Sequence, residues 1–582
     1  MIDLLIRGGT VVDGTGAPAR RADVGIHEGR IVAVGDVKDA ATRTLDAEGA
    51  LVTPGFVDLH AHYDGQASWD DELAPSTWHG VTTTVMGNCG VGFAPARVKD
   101  RERLIALMEG VEDIPGSALA EGIKWGWETF AEYMAALAKT NRSIDLVAQV
   151  PHDALRVFVM GDRAMAGEDA TPEDIAAMQA ELRSALDAGA AGFTTGRTDN
   201  HRAADGSATP ASEASMRELE GLGEVFRGRP RGVLQAVSDF DMAKGPVRFD
   251  AEWDSVEALA RVSGRPVSIS LLQRFGDSEQ WRRILKKMEA ANDAGLIVKA
   301  QVAPRGIGVI LGFETTFHPF MGFPTYKAMH ALPLSERVRR LQDPATRTKL
   351  LSETPDKIAG DGTSIPPLAD QLLANLDFVA MSLFKLGKVP DYEPKREASL
   401  FGEAMRRGIK PLEAVLDAML EDEGRALIYF PVYNYAVGNL DEVGEMLRHP
   451  LALLGLGDGG AHVGTICDAS FSTFVLQHWV RDRAVGKLGL ERAVQMLSSA
   501  NADWIGLTDR GRIAPGLRAD LNVIDLDKLT LPPPRLVHDL PANGRRLLQS
   551  AGGYRATLVA GETVRDDGVT TAARPGRLVR LA

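Results

Sequence analysis

Between residues 55 and 456 short apolar runs alternate with stretches of helical periodicity, and this alternation restricts the fold more than any other feature of the chain. Continuous apolar runs separated by helices are the pattern of βαβ units, in which a parallel sheet is covered on both faces. Residues 55–59 and 81–86 read as the first two strands, and 144–150, 190–194, 232–237, 267–272 and 296–302 as the next five. Residues 451–456 read as the eighth. Helical stretches at 172–186 and 278–291 fall between strands, as parallel crossovers require. The expected class is therefore α/β, a (β/α)8 TIM-like barrel. Residues 303–450 hold further apolar segments, 426–430 among them, that fit none of the eight strands, so an insertion over the barrel mouth is expected there.

The two ends have a different texture. Residues 2–36 are β-branched runs broken by Gly8-Gly9 and Asp13-Gly14, which is hairpin chemistry. Residues 520–525 and 556–561 repeat it. A small β-sandwich domain assembled from 1–52 and 513–582 is expected, flanking a barrel domain at 53–512.

A barrel of about 250 residues can grow past 400 with insertions, which accommodates most of the 582 residues. A net charge of −14 without a Lys/Arg-rich stretch argues against nucleic acid or an anionic membrane surface as partner and favours a small-molecule substrate. No apolar stretch reaches the roughly 18 residues of a membrane span, and the amino terminus lacks the pattern of a secretion signal. Two cysteines, Cys89 and Cys467, are too few for a disulfide framework, so a cytoplasmic location is expected. A homo-oligomer is left open.

Chemistry gathers at the strand ends, where a barrel presents its reactive residues. His60-Ala61-His62 follows the first strand directly, so both imidazoles can leave on the same side and converge on one ion. The second strand runs into Gly87-Asn88-Cys89-Gly90, where Cys89 is either a buried filler or a thiolate ligand. The last runs into Gly457-Asp458-Gly459-Gly460-Ala461-His462. An Asp between glycines is ordinarily a turn former, but at a strand end Asp458 becomes a candidate ligand and general base.

Leu51-Val-Thr-Pro-Gly-Phe-Val-Asp-Leu-His-Ala-His62 resembles the opening motif of the amidohydrolase superfamily, and residues 511–525 are similar to the segment by which such chains return to their β domain. Within it, Gly80-Val-Thr-Thr-Thr-Val-Met-Gly-Asn-Cys-Gly90, Val150-Pro-His-Asp-Ala-Leu-Arg156 and residues 458–462 resemble the N-acyl-D-amino-acid deacylase (D-aminoacylase) branch, in which a cysteine takes the place of a carbamylated lysine. The resemblance implies a metal-dependent amidohydrolase acting on carbon–nitrogen bonds other than peptide bonds. It implies metal ligands His60, His62, Cys89 and Asp458, and attack by a metal-bound hydroxide with Asp458 as general base and then acid.

The chain departs from that branch where the fifth and sixth strands would each supply a histidine, the second within Ser-His-x-Lys. Here Val233-Leu-Gln-Ala-Val-Ser-Asp239 and Ser268-Ile-Ser-Leu-Leu-Gln273 hold none, and by this match Leu271 replaces the ligand and Gln273 the substrate-contacting lysine. One zinc (Zn2+) per chain is therefore expected, with two left open. Arg197 and His201 in the loop after the fourth strand, Arg305 after the seventh, His152 and Gln273 complete the candidate substrate contacts. Arginines there could hold a carboxylate as a bidentate pair, or could be solvated loop charges. The alternatives are a hydrolase of a cyclic amide or carbamate, or a catalytically silent scaffold.

Overall fold

A computed structural model describes residues 2–240, 245–359, 365 and 368–581. Eight parallel strands form its centre: Phe56–Asp58, Val81–Met86, Asp145–Ala148, Gly192–Arg197, Val233–Ser238, Val267–Leu271, Val298–Val302 and Ala452–Leu454. The first three pair in order, and the fourth to eighth pair in order. Val150–Pro151 joins the third strand to the fourth, aided by a hydrogen bond from Ala191 N to Ala148 O. Between the eighth and first strands, Asp458 N donates to His60 O and His62 N to Gly459 O. Asn501 donates to the carbonyls of both Val57 and Leu454, a side-chain link between these two strands.

The second strand, Val-Thr-Thr-Thr-Val-Met, is buried at every position, as expected of β-branched residues in a sheet covered on both faces. Pro172–Asp187 is helical because Thr171 and Asp174 form a reciprocal capping box and Pro172 occupies the first turn, where its missing N–H costs nothing. The eighth strand stops at Leu454, before the expected 456, because the backbone then turns left-handed at Leu456 and at Asp458. That turn aims Asp458 back over the sheet.

The segment 303–450 builds its own three-stranded sheet, in which Gly308–Leu311 pairs with Ile428–Pro431 and the latter with Phe384–Lys385. The apolar run at 426–430 is thus the inner strand of the insertion. Helices Leu334–Gln342, Pro344–Ser352, Leu400–Arg407 and Pro411–Gly424 surround a separate apolar cluster that includes Phe313, Phe320, Leu341 and Met419.

One nine-stranded sheet unites the chain ends. Leu521–Ile524 lies between Leu51–Pro54 and Tyr554–Val559, so a carboxyl-terminal strand is zipped antiparallel to an amino-terminal one. Not all of 513–582 enters this sheet. The hairpin of Arg535–Leu540 and Gly544–Leu548 reaches the loop after the eighth strand through Leu547 N to Val463 O. Residues 577–579 hydrogen-bond along the third strand at Leu146, supplying partners to an edge that would otherwise leave buried backbone groups unpaired.

Candidate metal centre and cavity

Because all eight strands are parallel, their carboxyl ends share one rim, and the candidate ligands meet there. Donor atoms of His60, His62 and Cys89 lie within 4.8 Å of one another, and all three side chains are buried. His60 Nε2 is 3.1 Å from Cys89 Sγ and 3.4 Å from Asp458 Oδ1, and His62 Nε2 is 3.8 Å from the same oxygen. The other ring nitrogen of His60 lies 2.9 Å from Gln301 Oε1 and 2.8 Å from Gln235 Nε2. With the hydrogen on Nδ1 and donated to Gln301, the Nε2 lone pair faces the cluster.

Local chemistry explains the placement. Cys89 and Asp458 both hold left-handed backbone conformations, a costly state for residues with a Cβ that persists only when the surroundings enforce it. Two residues earlier, Gly87 is also left-handed and lies so close to the Gln149 carbonyl that a Cβ there would collide with it.

Burial sets the protonation states. It pushes His60 down to about 4 and His62 well below its ordinary range, so both imidazoles are neutral and able to ligate. Burial raises Asp458 to about 7, and raises Cys89 far up, with the Glu112 and Asp458 carboxylates adding to it. A cation would reverse the last two shifts, so loading the site with metal must release protons.

Glu112, the last residue of helix Arg101–Glu112, was not marked by sequence. It is fully buried, 3.1 Å from His62 Nδ1 and 3.6 Å from His462 Nε2, and neither of its oxygens nor His62 Nδ1 completes a hydrogen bond. Buried polar atoms without partners beside two imidazoles, a thiol and a carboxyl fit a cation. The nitrogen, sulfur and oxygen donor set suits zinc.

A cavity of about 310 Å³ opens above this cluster, with His60, Cys89, Asp458, His462 and His201 among its lining residues. Of the residues proposed for substrate contact, His201 is there. The others are committed elsewhere, so a substrate contact finds no support in their geometry. Arg197 is held by Glu252 at 2.8 and 3.0 Å and by Ala214 O. Arg305 is buried against the Tyr392 ring, with its guanidinium carbon 3.8 Å from the ring centroid, and bonds Asp468 and Cys467 O. His152 bonds Thr195 and Glu218, each at 2.9 Å. Gln273 donates to Glu442 and accepts from Ala436 N, bracing the sixth strand to the insertion.

On the fifth strand Gln235 stands beside the cluster, its Nε2 packed against the His60 ring and its Oε1 accepting from Cys89 N at 3.3 Å. On the sixth, Leu271 is packed in the apolar core. Arg274 and Tyr433, which the sequence did not single out, line the cavity near these strands together with Asp239.

The sequence profile of the Amidohydrolase family matches residues 43–365 and 406–565, well over half of the chain. A D-aminoacylase of Alcaligenes xylosoxydans xylosoxydans is 27% identical over 99% of this chain and 97% of its own length. An N-acyl-D-glutamate deacylase of the same organism is 29% identical over 100% and 96%. Among solved structures, the N-acyl-D-glutamate deacylase of Bordetella bronchiseptica, complexed with zinc and a phosphonate mimic of the tetrahedral intermediate, superposes with a TM-score of 0.64. It is 26% identical, with 100% of this chain and 99% of that one covered.

Proposed function

The chain belongs to the Amidohydrolase family, and from that premise we propose that it is a metal-dependent hydrolase of N-acyl-D-amino acids or related amides, with its metal held by His60, His62, Cys89 and Asp458. The observation that carries the reading is the convergence of Cys89 Sγ and Asp458 Oδ1 on His60 Nε2, at 3.1 and 3.4 Å. The full-length likeness to deacylases supports the substrate class.

Zinc at this site would polarise the scissile carbonyl and acidify water. Asp458 faces both imidazoles and the cavity, so its carboxylate can take the proton of the attacking water and deliver it to the departing nitrogen. Gln301, accepting from Nδ1, holds His60 in the tautomer that ligates. Within this reading the eight strands close as a (β/α)8 barrel, supported by the hydrogen bonds between His60, His62 and the 458–459 backbone. The strands of 1–52 and of 521–570 that interleave in the nine-stranded sheet form a single small unit, whereas 535–548 and 577–579 belong with the central strands.

We assign one zinc per chain. On the fifth and sixth strands Gln235 is the side chain in contact with His60 and Cys89, while Leu271 packs in the core, and a neutral amide oxygen is a poor zinc donor beside imidazole and thiolate. Both cysteines are free and buried, which suits the reducing cytoplasm included in this proposal. Elemental analysis of protein purified without chelators tests the assignment. One equivalent is expected, and His60→Ala should lose the metal and amide hydrolysis together. Two equivalents would sink the single-ion site, and none would leave a silent scaffold.

A further inference from the structure

The cavity has two unlike sides, and the insertion makes one of them. In the ribbon of Gly308–Leu311 and Ile428–Pro431, Val309 stands directly opposite Phe430. Successive side chains point to opposite faces of a strand. Ile307, Val309, Phe430 and Val432 accordingly share the face that lines the cavity, whereas Ile310 and Tyr429, on the other face, are buried in the core. Ile307, Val309 and Val432 remain half-buried, so an apolar surface is left open toward the metal centre.

The polar side is poor in positive charge. Arg274 is the only lysine or arginine among the described residues lining the cavity, against Asp113, Asp239 and Asp458. Its guanidinium already donates to Ser238 O at 3.0 Å and lies 3.4 Å from Asp239 Oδ1. Asp239 is itself held by Thr198 Oγ1 and Asp199 N. One ligand carboxylate can share Arg274 and the metal. A second would be desolvated beside aspartates with no further lysine or arginine among the described lining residues, which is unfavourable.

We propose that the site selects amides bearing a large apolar group and no more than one carboxylate, and that it rejects N-acyl derivatives of acidic amino acids. This rests on the amide-hydrolase reading above and adds the substrate class. The apolar group lies against the ribbon. It can belong to the acyl chain or to the amino-acid side chain, which share the same chemistry.

A crossed panel separates these sources: acetyl, hexanoyl and decanoyl groups on D-alanine, and acetyl groups on D-alanine, D-leucine, D-phenylalanine and D-glutamate. In the arm that meets the ribbon, kcat/KM should rise about fourfold per buried methylene until the wall is covered. N-acetyl-D-glutamate should fall at least about 100-fold below the best apolar substrate. A flat response in both apolar arms, or D-glutamate turnover equal to the best, overturns the inference.

Binding of decanoate and glutarate to the zinc-loaded protein is read separately by calorimetry, because it needs no turnover. Decanoate should bind at least tenfold more tightly than glutarate, and Val309→Thr, which keeps the shape and the strand, should narrow that preference while leaving the melting temperature within a few degrees of wild type. Decanoate preference without hydrolysis of any amide would refute the hydrolase reading and leave the apolar site standing. Equal binding of the two acids would refute the apolar site itself.

Discussion

The ends of the first and eighth strands and the ends of the fifth and sixth lie on the same rim, yet they do opposite work. The first pair presents His60, His62 and Asp458 to one point, with Cys89 beside them from the second strand. The fifth strand presents Gln235, which touches His60 and Cys89 and so acts on the cluster through them. The sixth presents Leu271 to the core, and next to it Ser270 and Leu272 to the cavity. In the proposed reading one half of the rim therefore holds the chemistry while the other supports it and shapes the cavity. A strand end becomes a site through the side chains it carries and the groups that orient them, not through its position alone.

The largest effect expected from breaking this contrast is at Asp458. Asp458→Asn keeps the shape but cannot accept a proton or balance metal charge, so amide hydrolysis should fall about 10²- to 10⁴-fold with the fold intact by circular dichroism. Retention of a tenth of the wild-type rate would remove Asp458 from the mechanism. On the supporting half, Gln235→Ala leaves every ligand in place but frees His60 and the Cys89 backbone. Zinc affinity, measured by competition with a chelator, should weaken about 10- to 100-fold while the metal-free protein melts within a few degrees of wild type. An unchanged affinity would mean that the fifth strand contributes nothing to the centre.

The smallest effect concerns a buried carboxyl behind the centre, on Asp153, whose backbone N donates to Gly90 O. Burial raises Asp153 to about 7, while its carboxyl accepts from Ala211 N. A carboxyl raised above its unfolded value near 3.8 contributes stability that is fully present below about pH 4 and is lost as pH rises through 7. The melting temperature of wild type should accordingly fall more between pH 5 and pH 8 than that of Asp153→Asn. Parallel profiles would show that Asp153 does not titrate in the folded chain.

Patterns carried by neighbouring residues were legible in the sequence because their causes are local. The run from Val81 to Met86 is a buried strand by composition alone, and Thr171, Pro172 and Asp174 start a helix by their own hydrogen bonds. His60 and His62 share a direction because they are two residues apart at a strand end. The similar texture of the two chain ends announced a shared β unit, though not that residues 577–579 would return to the third strand.

Tertiary structure alone decided the rest, because the outcome for a charged or amide side chain depends on which partner folding brings to it. Arg197, His152, Arg305 and Gln273 looked alike as strand-end polar groups. Their partners Glu252, Glu218, Asp468 and Glu442 lie 55, 66, 163 and 169 residues away, and each pairing withdraws the group from the cavity. Glu112 shows the converse: an unremarked helix-end acid becomes a desolvated neighbour of His62 and His462 because the chain closes around it. Local periodicity determined where the strands and the His-x-His ligands fall, since hydrogen bonding and side-chain direction repeat over a few residues. Long-range packing determined which polar groups stay available for chemistry, since burial leaves a polar group free to act only where no protein partner reaches it.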